Sequence, residues 1–127
     1  MFEAIHHIAI IAADYPRSKR FYAEILGFPV IREVYRAERE SWKCDLQVGA
    51  AQIELFSFPA PPPRPSRPEA LGLRHLAFEV ADIEAAVAHL EAHGVAVEPI
   101  RVDPHTDRRY TFFTDPDALP LELYERG

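Results

Sequence analysis

The sequence predicts an α+β fold built from two tandem modules, each with one strand, one helix and three further strands. The first observation is an internal repeat, because Ile5-His6-His7-Ile8-Ala9-Ile10 aligns with Leu73-Arg74-His75-Leu76-Ala77-Phe78 at an offset of 68 residues. The second is that the same offset places Ile53-Glu54-Leu55-Phe56 on Leu121-Glu122-Leu123-Tyr124. Since a repeat of this kind marks a duplicated unit, we expect two βαβββ modules that together form a cupped mixed sheet.

Four strands are predicted in each module from apolar stretches and from alternating or β-branched runs. In the first module we expect them at Ala4 to Ile11, Val30 to Tyr35, Trp42 to Val48 and Gln52 to Phe58. In the second module we expect them at Leu73 to Val80, Ala96 to Val102, Tyr110 to Thr114 and Leu119 to Tyr124.

An amphipathic helix is predicted after the first strand of each module. Asp14 and Asp82 stand where N-caps would accept hydrogen bonds from the first free amides, and Gly27 and Gly94 stand where left-handed C-caps would end the helices. The repeat drifts by one residue at the two glycines and recovers at the last strand. The apolar stripes comprise Phe21, Ile25 and Leu26 in the first helix and Ile83, Ala86, Val87 and Leu90 in the second.

A proline-rich segment separates the two modules. Six of the twelve prolines lie between Pro59 and Pro68, and their fixed φ angles favour an extended polyproline II conformation. We therefore expect one domain with a first module at about residues 1–58, a linker at 59–72 and a second module at about 73–127. The linker is interpreted as a stiff strap, with an active-site cover or a docking peptide as the alternatives.

Composition excludes several classes of function. The net charge is −6 and acidic and basic residues are mixed along the chain, so a nucleic-acid partner is not expected. No apolar run exceeds Ile8 to Ala13 and no signal-peptide pattern opens the sequence, so we expect no membrane association and a cytoplasmic protein. The single cysteine, Cys44, excludes an intrachain disulfide and a multi-cysteine metal site, and we expect it to be a buried small residue.

Four polar residues interrupt the apolar strands at mirrored positions: His7, Glu54, His75 and Glu122. His7 and Glu54 are separated by 47 residues, as are His75 and Glu122, so each module supplies one histidine and one glutamate. A carboxylate between apolar neighbours is costly to bury unless a cation or hydrogen bonds compensate it. Two imidazoles and two carboxylates would suit one divalent ion such as Ni²⁺, Zn²⁺, Co²⁺, Fe²⁺ or Mn²⁺.

A purely structural role is the competing interpretation of each residue alone, because strands often carry a satisfied histidine or an exposed glutamate. The mirrored placement of all four favours a metal site, although duplication could also have copied a structural pair. The repeat separates the two adjacent histidines, because His6 aligns with Arg74 whereas His7 aligns with His75. We therefore predict His7, and not His6, as a ligand.

These motifs resemble the vicinal oxygen chelate superfamily of glyoxalase I, bleomycin-resistance proteins and extradiol dioxygenases. The similarity spans His7 to Asp14, Phe21-Tyr22, Leu26-Gly27 and the Asp115-Pro116-Asp117 turn in addition to the two repeated pairs. The chain looks most like the small bacterial glyoxalase-I-like metalloproteins of the YaeR type, which share the stretch from Phe56 to Pro68. The resemblance implies paired βαβββ modules around one metal ion, with the ligands at His7, Glu54, His75 and Glu122.

The function implied by the resemblance is a metal-dependent lyase or isomerase of glyoxalase I type. It would transfer a proton through a metal-stabilised enediolate on a small vicinal-oxygen substrate such as a hemithioacetal. Glu122 is the preferred catalytic base and Glu54 is the symmetric alternative. Family members often work as homodimers, so a homodimer is expected. The alternatives are a ligand-sequestering protein of the bleomycin-resistance type and a thioester epimerase.

Three positions depart from the family pattern. Glyoxalase I typically has an arginine and an asparagine that hold the glutathione carboxylates, and here those positions are Ile11 and Phe58. Recognition of glutathione is therefore not expected. Ala118 replaces the glycine of the family's Asp-Pro-Asp-Gly turn, which would reshape that turn.

Two further groups are candidates for substrate binding. Arg101, His105, Arg108 and Arg109 flank a predicted hairpin and could hold a carboxylate or phosphate, although solvated turn residues are the preferred interpretation. The aromatic residues of the strands could line a pocket, but we expect them to be core. These aromatic residues are Trp42, Phe56, Phe58, Tyr110 and Phe112.

Overall fold

The computed structural model describes residues 1–127 and divides into two compact units, Met1–Pro63 and Arg64–Gly127. Unit 1 contains β1 (His7–Ala12), α1 (Tyr15–Arg20), a π-helical segment (Phe21–Ile25), β2 (Val30–Arg36), a 3₁₀ turn (Ala37–Arg39), β3 (Ser41–Val48) and β4 (Ala51–Ser57). Unit 2 contains β5 (Leu76–Val80), α2 (Ile83–Ala92), β6 (Arg101–Val102), β7 (Arg109–Thr114) and β8 (Pro120–Glu125). The predicted α+β class and the βαβββ order of each module are confirmed.

Each unit holds one four-stranded mixed sheet, with the strand order β1-β4-β3-β2 in unit 1 and β5-β8-β7-β6 in unit 2. The first strand of each unit pairs in parallel with the last strand, and the other neighbours are antiparallel. A parallel neighbour requires a crossover connection, which the helix of each unit begins. The first and last strands of each module are therefore adjacent although they are far apart in sequence.

The two faces of each sheet differ because side chains alternate along a strand. In β4, Ile53 and Leu55 are buried while Glu54 between them lies on the opposite face, and β8 repeats this pattern with buried Leu121 and Leu123 around Glu122. The buried helix residues accompany the apolar strand positions in the core of each unit. They are Tyr15, Ser18, Phe21, Tyr22 and Ile25 in unit 1, and Ile83 and Leu90 in unit 2.

The helix caps match the sequence, but the first helix contains a segment that was not predicted. Asp14 accepts a hydrogen bond from the Arg17 amide at 3.2 Å, and Gly27 adopts the left-handed conformation with φ 78°. Between these caps the helix widens into a π-helical turn at Phe21–Ile25. A π-turn accommodates one extra residue in a helix, which explains why the repeat drifts by one residue at this point.

Three strands are shorter than predicted. Strand β1 begins at His7 rather than at Ala4. The stretch Ala96 to Ile100 is not a strand, and only Arg101–Val102 pairs with β7. Pro99 has no amide hydrogen to donate to a neighbouring strand, so pairing stops there except for a bond from the Glu98 amide to the Phe112 carbonyl at 3.1 Å. Strand β5 begins at Leu76, which places His75 immediately before the strand rather than within it.

The proline-rich segment contains no helix or strand between β4 and β5. Its second half packs on unit 2, because the Arg64 guanidinium donates to the Leu73 carbonyl at 2.6 Å and the Ser66 hydroxyl donates to the Ala118 carbonyl at 3.3 Å. No helix in the structure is long and apolar enough to cross a membrane.

The turn before β8 carries backbone strain at Ala118. The Asp115 carboxylate accepts from the amides of Asp117 and Leu119, both at 2.9 Å, and Ala118 between them has φ 67°. An L-residue in the left-handed region pays roughly 1–2 kcal/mol relative to its ordinary conformations, whereas glycine does not. Ala118, which stands where the resemblance implies a glycine, therefore leaves the turn formed but strained.

We expect Ala118→Gly to stabilise the protein by about 1 kcal/mol, because glycine removes the Cβ that disfavours this φ value. Thermal or urea unfolding measures the change. Ala85→Gly in the exposed face of α2 is the matched control and should destabilise by about 0.5–1 kcal/mol. Loss of stability in both variants would show that Ala118 is not strained.

Candidate functional site

The unit 1 pair joins the first residue of β1 to the middle of β4. In the parallel register Ala9 lies beside Glu54, so His7, two residues earlier, has its side chain on the same face of the sheet as Glu54. His7 Nε2 lies 3.5 Å from Glu54 Oε2. The histidine side chain is 41% exposed and the glutamate side chain is 15% exposed. The predicted partners are therefore in contact.

The unit 2 pair repeats this geometry. Ala77 lies beside Glu122 in the parallel register, and His75 Nε2 lies 3.1 Å from Glu122 Oε1. The His75 ring meets Phe112 edge-on with 5.0 Å between ring centroids, and Phe112 is opposite Glu122 in the β7–β8 ladder. An aromatic ring thus borders this pair.

Each unit by itself supplies two of the four predicted ligands. Neither unit gathers three or more histidine, cysteine, aspartate or glutamate side chains at one point. His6, which the repeat separated from His7, places its Nδ1 2.9 Å from His7 Nδ1. His6 thus contacts the ring of the predicted ligand.

Charged residues on β3 that sequence reasoning missed border the unit 1 pair. Asp45 lies directly opposite Glu54 in the β3–β4 ladder, and Lys43 Nζ lies 2.7 Å from Asp45 Oδ1 and 3.7 Å from Glu54 Oε2. Arg32 from β2 pairs with Asp45 at 3.0 Å. Burial acts to raise the pKa of Asp45, but the hydrogen bonds from Lys43 and Arg32 outweigh it and hold that pKa below its usual range.

The two pairs therefore have the same donors in different surroundings. Glu54 lies 3.7 Å from the Lys43 ammonium and opposite a second carboxylate. Glu122 lies opposite Phe112, and the cation beside its pair is Arg74, whose Nη1 lies 3.2 Å from His75 Nδ1. The sequence contained an indication of this difference, because Lys43 and Asp45 are two charged residues at alternate positions of a predicted strand. It has no counterpart in the second module, where Tyr110 and Phe112 take the corresponding ladder positions.

Of the four candidate anion-binding residues, Arg109 is already engaged. Its guanidinium pairs with Glu125 at 2.9 Å and with Glu84 at 3.0 Å, and these carboxylates raise its pKa. His105 and Arg108 lie in an exposed turn, in agreement with their interpretation as solvated residues. Arg101 alone of the four lines a cavity, together with His75.

The expectation that the strand aromatics form the core is wrong. None of the five is buried. Phe56, Tyr110 and Phe112 lie on the sheet face opposite the buried residues of their strands, and Phe58 lies beyond the end of β4. Trp42 shares the face of buried Cys44 and Leu46 but remains 39% exposed near the start of β3. Trp42 stacks on Tyr15 with 5.7 Å between ring centroids, and Phe56 stacks on Phe58 at 5.8 Å. Phe112 lines the cavity of unit 2, so the pocket interpretation applies to this residue.

Cys44 is a buried free thiol, as predicted. Burial raises the pKa of the Cys44 thiol, which keeps it protonated and unreactive at neutral pH. It therefore belongs to the core of unit 1.

The family model described as the glyoxalase, bleomycin resistance protein and dioxygenase superfamily matches residues 4–123. The chain is 68% identical over 123 residues to the uncharacterised protein YaeR of Escherichia coli (strain K12), covering 96% of this chain and 95% of that protein. It is 59% identical over 127 residues to the uncharacterised protein YwkD of Bacillus subtilis (strain 168), covering 99% of each.

A solved structure and a relative with a named activity extend the comparison. The crystal structure of a glyoxalase family protein from Enterococcus faecalis superposes with a TM-score of 0.91 at 52% identity, covering 98% of both chains. A 2-epi-5-epi-valiolone epimerase from Actinomyces sp. is 30% identical over 142 residues, covering 94% of this chain and 78% of the epimerase.

Proposed function

Because the chain belongs to the glyoxalase, bleomycin resistance protein and dioxygenase superfamily, we propose that it is a metal-dependent lyase or isomerase of glyoxalase I type. The observation that carries the proposal is the mirrored pair of one histidine and one glutamate on each sheet, His7 with Glu54 and His75 with Glu122. The substrate is a small molecule with two adjacent oxygens, such as a hemithioacetal. The expected homodimer is part of the same proposal.

The donor set fits a divalent metal ion. The Glu122 side chain is only 12% exposed and lies 3.1 Å from the His75 imidazole, and Glu54 lies 3.5 Å from the His7 imidazole. Imidazole nitrogens and carboxylate oxygens are the donors that divalent first-row metal ions take in proteins. His7, Glu54, His75 and Glu122 would hold one Ni²⁺, Zn²⁺, Co²⁺ or Mn²⁺ ion. When bound, the ion supplies Lewis acidity to the oxygens of the substrate.

We expect one metal equivalent per chain in the wild type and almost none in His7→Ala, because the variant loses a nitrogen ligand. His6→Ala should retain the ion with an affinity reduced by at most about 10–100-fold, because His6 only orients the His7 ring. Mass-spectrometric metal analysis of protein purified without an affinity tag measures both. Equal losses in the two variants would contradict the assignment of His7.

Glu122 is the proposed base that takes a proton from the substrate carbon and returns it to the neighbouring carbon. The surroundings of the two glutamates support this choice over Glu54. The Lys43 ammonium lies 3.7 Å from the Glu54 carboxylate. Glu122 has Phe112 opposite it in the ladder, and the cation beside its pair is Arg74, which contacts His75 and interacts with Glu122 only through space. The direct ammonium contact of Glu54, which Glu122 lacks, is the observation that favours Glu122.

Glu122→Gln should lower kcat by about 10²–10⁴-fold, the usual contribution of general acid–base catalysis, while Glu54→Gln should lower it less. Both variants are assayed with methylglyoxal and a series of thiols at saturating Ni²⁺, with metal content measured alongside to separate lost metal from lost proton transfer. Full turnover in Glu122→Gln together with none in Glu54→Gln would make Glu54 the base.

The thiol in such a substrate is proposed to differ from glutathione. Ile11 and Phe58 occupy the positions that would hold the glutathione carboxylates, and Ile11 is an exposed apolar residue on the same alternating face of β1 as His7. Neither side chain can pair with a carboxylate. Turnover of methylglyoxal with small thiols is therefore expected to exceed turnover with glutathione.

An epimerase is the second candidate function. The 30% identity to a 2-epi-5-epi-valiolone epimerase over nearly the whole chain favours it. Epimerisation beside a carbonyl needs the same removal and return of a proton, so the same four residues would serve both reactions. The two candidates differ in where the proton returns: an epimerase returns it to the opposite face of the original carbon, and the isomerase returns it to the neighbouring carbon.

A further inference from the structure

A cavity of about 650 Å³ opens on unit 2 beside the His75 pair. This volume is typical of a site for a small molecule. Its walls come from three parts of the unit: the second half of the proline-rich segment, the stretch before β6, and β7. Phe112 and Phe113 from β7 provide an apolar wall, and His75 reaches the same space. A ligand in the cavity would therefore contact both an aromatic surface and the proposed metal ligand.

The charged residues of the cavity leave a positive balance. Three arginines line it, Arg67, Arg74 and Arg101, against two glutamates. Glu69 pairs with Arg74 at 2.5 Å and Glu98 pairs with Arg101 at 2.9 Å. The lining therefore carries one more guanidinium than carboxylate, and Arg67 is the arginine without a carboxylate of its own. This positive balance favours an anionic ligand, and the group that binds it is identified by its remaining donors.

Arg101 is held in a position to bind such an anion. Its guanidinium carbon lies 4.9 Å from the ring centroid of Tyr110 and 5.8 Å from that of Phe112. Stacking on aromatic rings fixes the plane of a guanidinium group and leaves its N–H edges available. Glu98 is bonded to the Nη2 atom, and a guanidinium has five N–H donors, so donors remain for a second carboxylate or a phosphate.

We propose that this cavity is a subsite for an anionic group of the substrate, a carboxylate or a phosphate, and that Arg101 determines that specificity. Phe112 links the two ends of the subsite, because it contacts the Arg101 guanidinium on one side and the His75 ring on the other. The link to the substrate rests on the proposed function, since it requires the reacting oxygens to lie at His75. Binding of the anion itself does not require the metal.

The proline-rich segment contributes to this subsite. Ser66, Arg67 and Glu69 line the cavity, and the bonds from Arg64 to the Leu73 carbonyl and from Ser66 to the Ala118 carbonyl tether that part of the segment. The segment therefore forms one wall of the cavity. This agrees with the alternative interpretation of the linker as an active-site cover.

The test is a titration of the ¹⁵N-labelled full chain with benzoate, benzamide and inorganic phosphate, followed by amide chemical shifts. Benzoate joins a carboxylate to an apolar ring, and benzamide is its neutral analogue. We expect benzoate to shift the amides of Ala96, Val97 and Thr114, which line the cavity, and benzamide not to bind. Phosphate binding with the same dependence on Arg101 would extend the ligand class to phosphate, whereas benzoate binding alone would restrict it to a carboxylate.

Arg101→Gln should weaken benzoate binding by about tenfold or more, the value of one charge-assisted hydrogen bond. Arg126→Gln is the matched control, because Arg126 is similarly exposed and is paired with Glu79 outside the cavity. The proposal would be overturned if Arg101→Gln binds benzoate as tightly as the wild type, or if both variants lose the same affinity. It would also be overturned if benzamide binds as tightly as benzoate, or if neither anion binds.

Metal analysis of the same samples separates the two proposals. The anion subsite is supported if Arg101→Gln loses benzoate binding while it keeps the metal content of the wild type. Benzoate binding that depends on Arg101 in a protein that takes up no metal would support the subsite and overturn the proposed function. A metal-binding protein without Arg101-dependent anion binding would overturn the subsite alone.

Discussion

The parallel pairing of the first and last strand of each unit is the constraint on which the site depends. It places a histidine and a glutamate that are 47 residues apart in sequence on neighbouring strands and on the same face. The opposite face carries the apolar residues that pack against the helix, so the alternation that builds the core also turns both polar side chains away from it. The pair is therefore a consequence of the fold, and it was duplicated along with the module.

Duplication has left the two pairs chemically unequal. In unit 1 the carboxylate lies near Lys43 and opposite Asp45, and in unit 2 it lies opposite Phe112. Under the proposed function, the four residues bind one metal ion and only Glu122 exchanges protons. The cavity beside His75 adds a second difference, since its arginines and aromatic wall belong to unit 2. Both differences favour the second module for the proposed proton transfer and substrate recognition.

The repeat and the hydrophobic pattern were sufficient to predict the fold class, the helix caps and the two His and Glu pairs, because each depends on local periodicity or on mirrored spacing. The π-helical turn could not be predicted, although the one-residue drift at Gly27 reflects it, since sequence does not say where a helix absorbs an insertion. The strand predicted from Ala96 failed because Pro99 interrupts pairing. The aromatic residues were assigned to the core because apolar character alone does not reveal which sheet face a residue occupies.

The central proposal is that His7, Glu54, His75 and Glu122 are the ligands of one divalent ion. X-ray absorption at the metal edge of the wild-type chain loaded with one equivalent of Ni²⁺ tests it most directly, because imidazole rings give a distinctive multiple-scattering signature. The account predicts two imidazole ligands in the wild type and one in each of the single variants His7→Ala and His75→Ala, measured under excess Ni²⁺. A wild-type spectrum with fewer than two imidazoles, or one that neither variant changes, would contradict it.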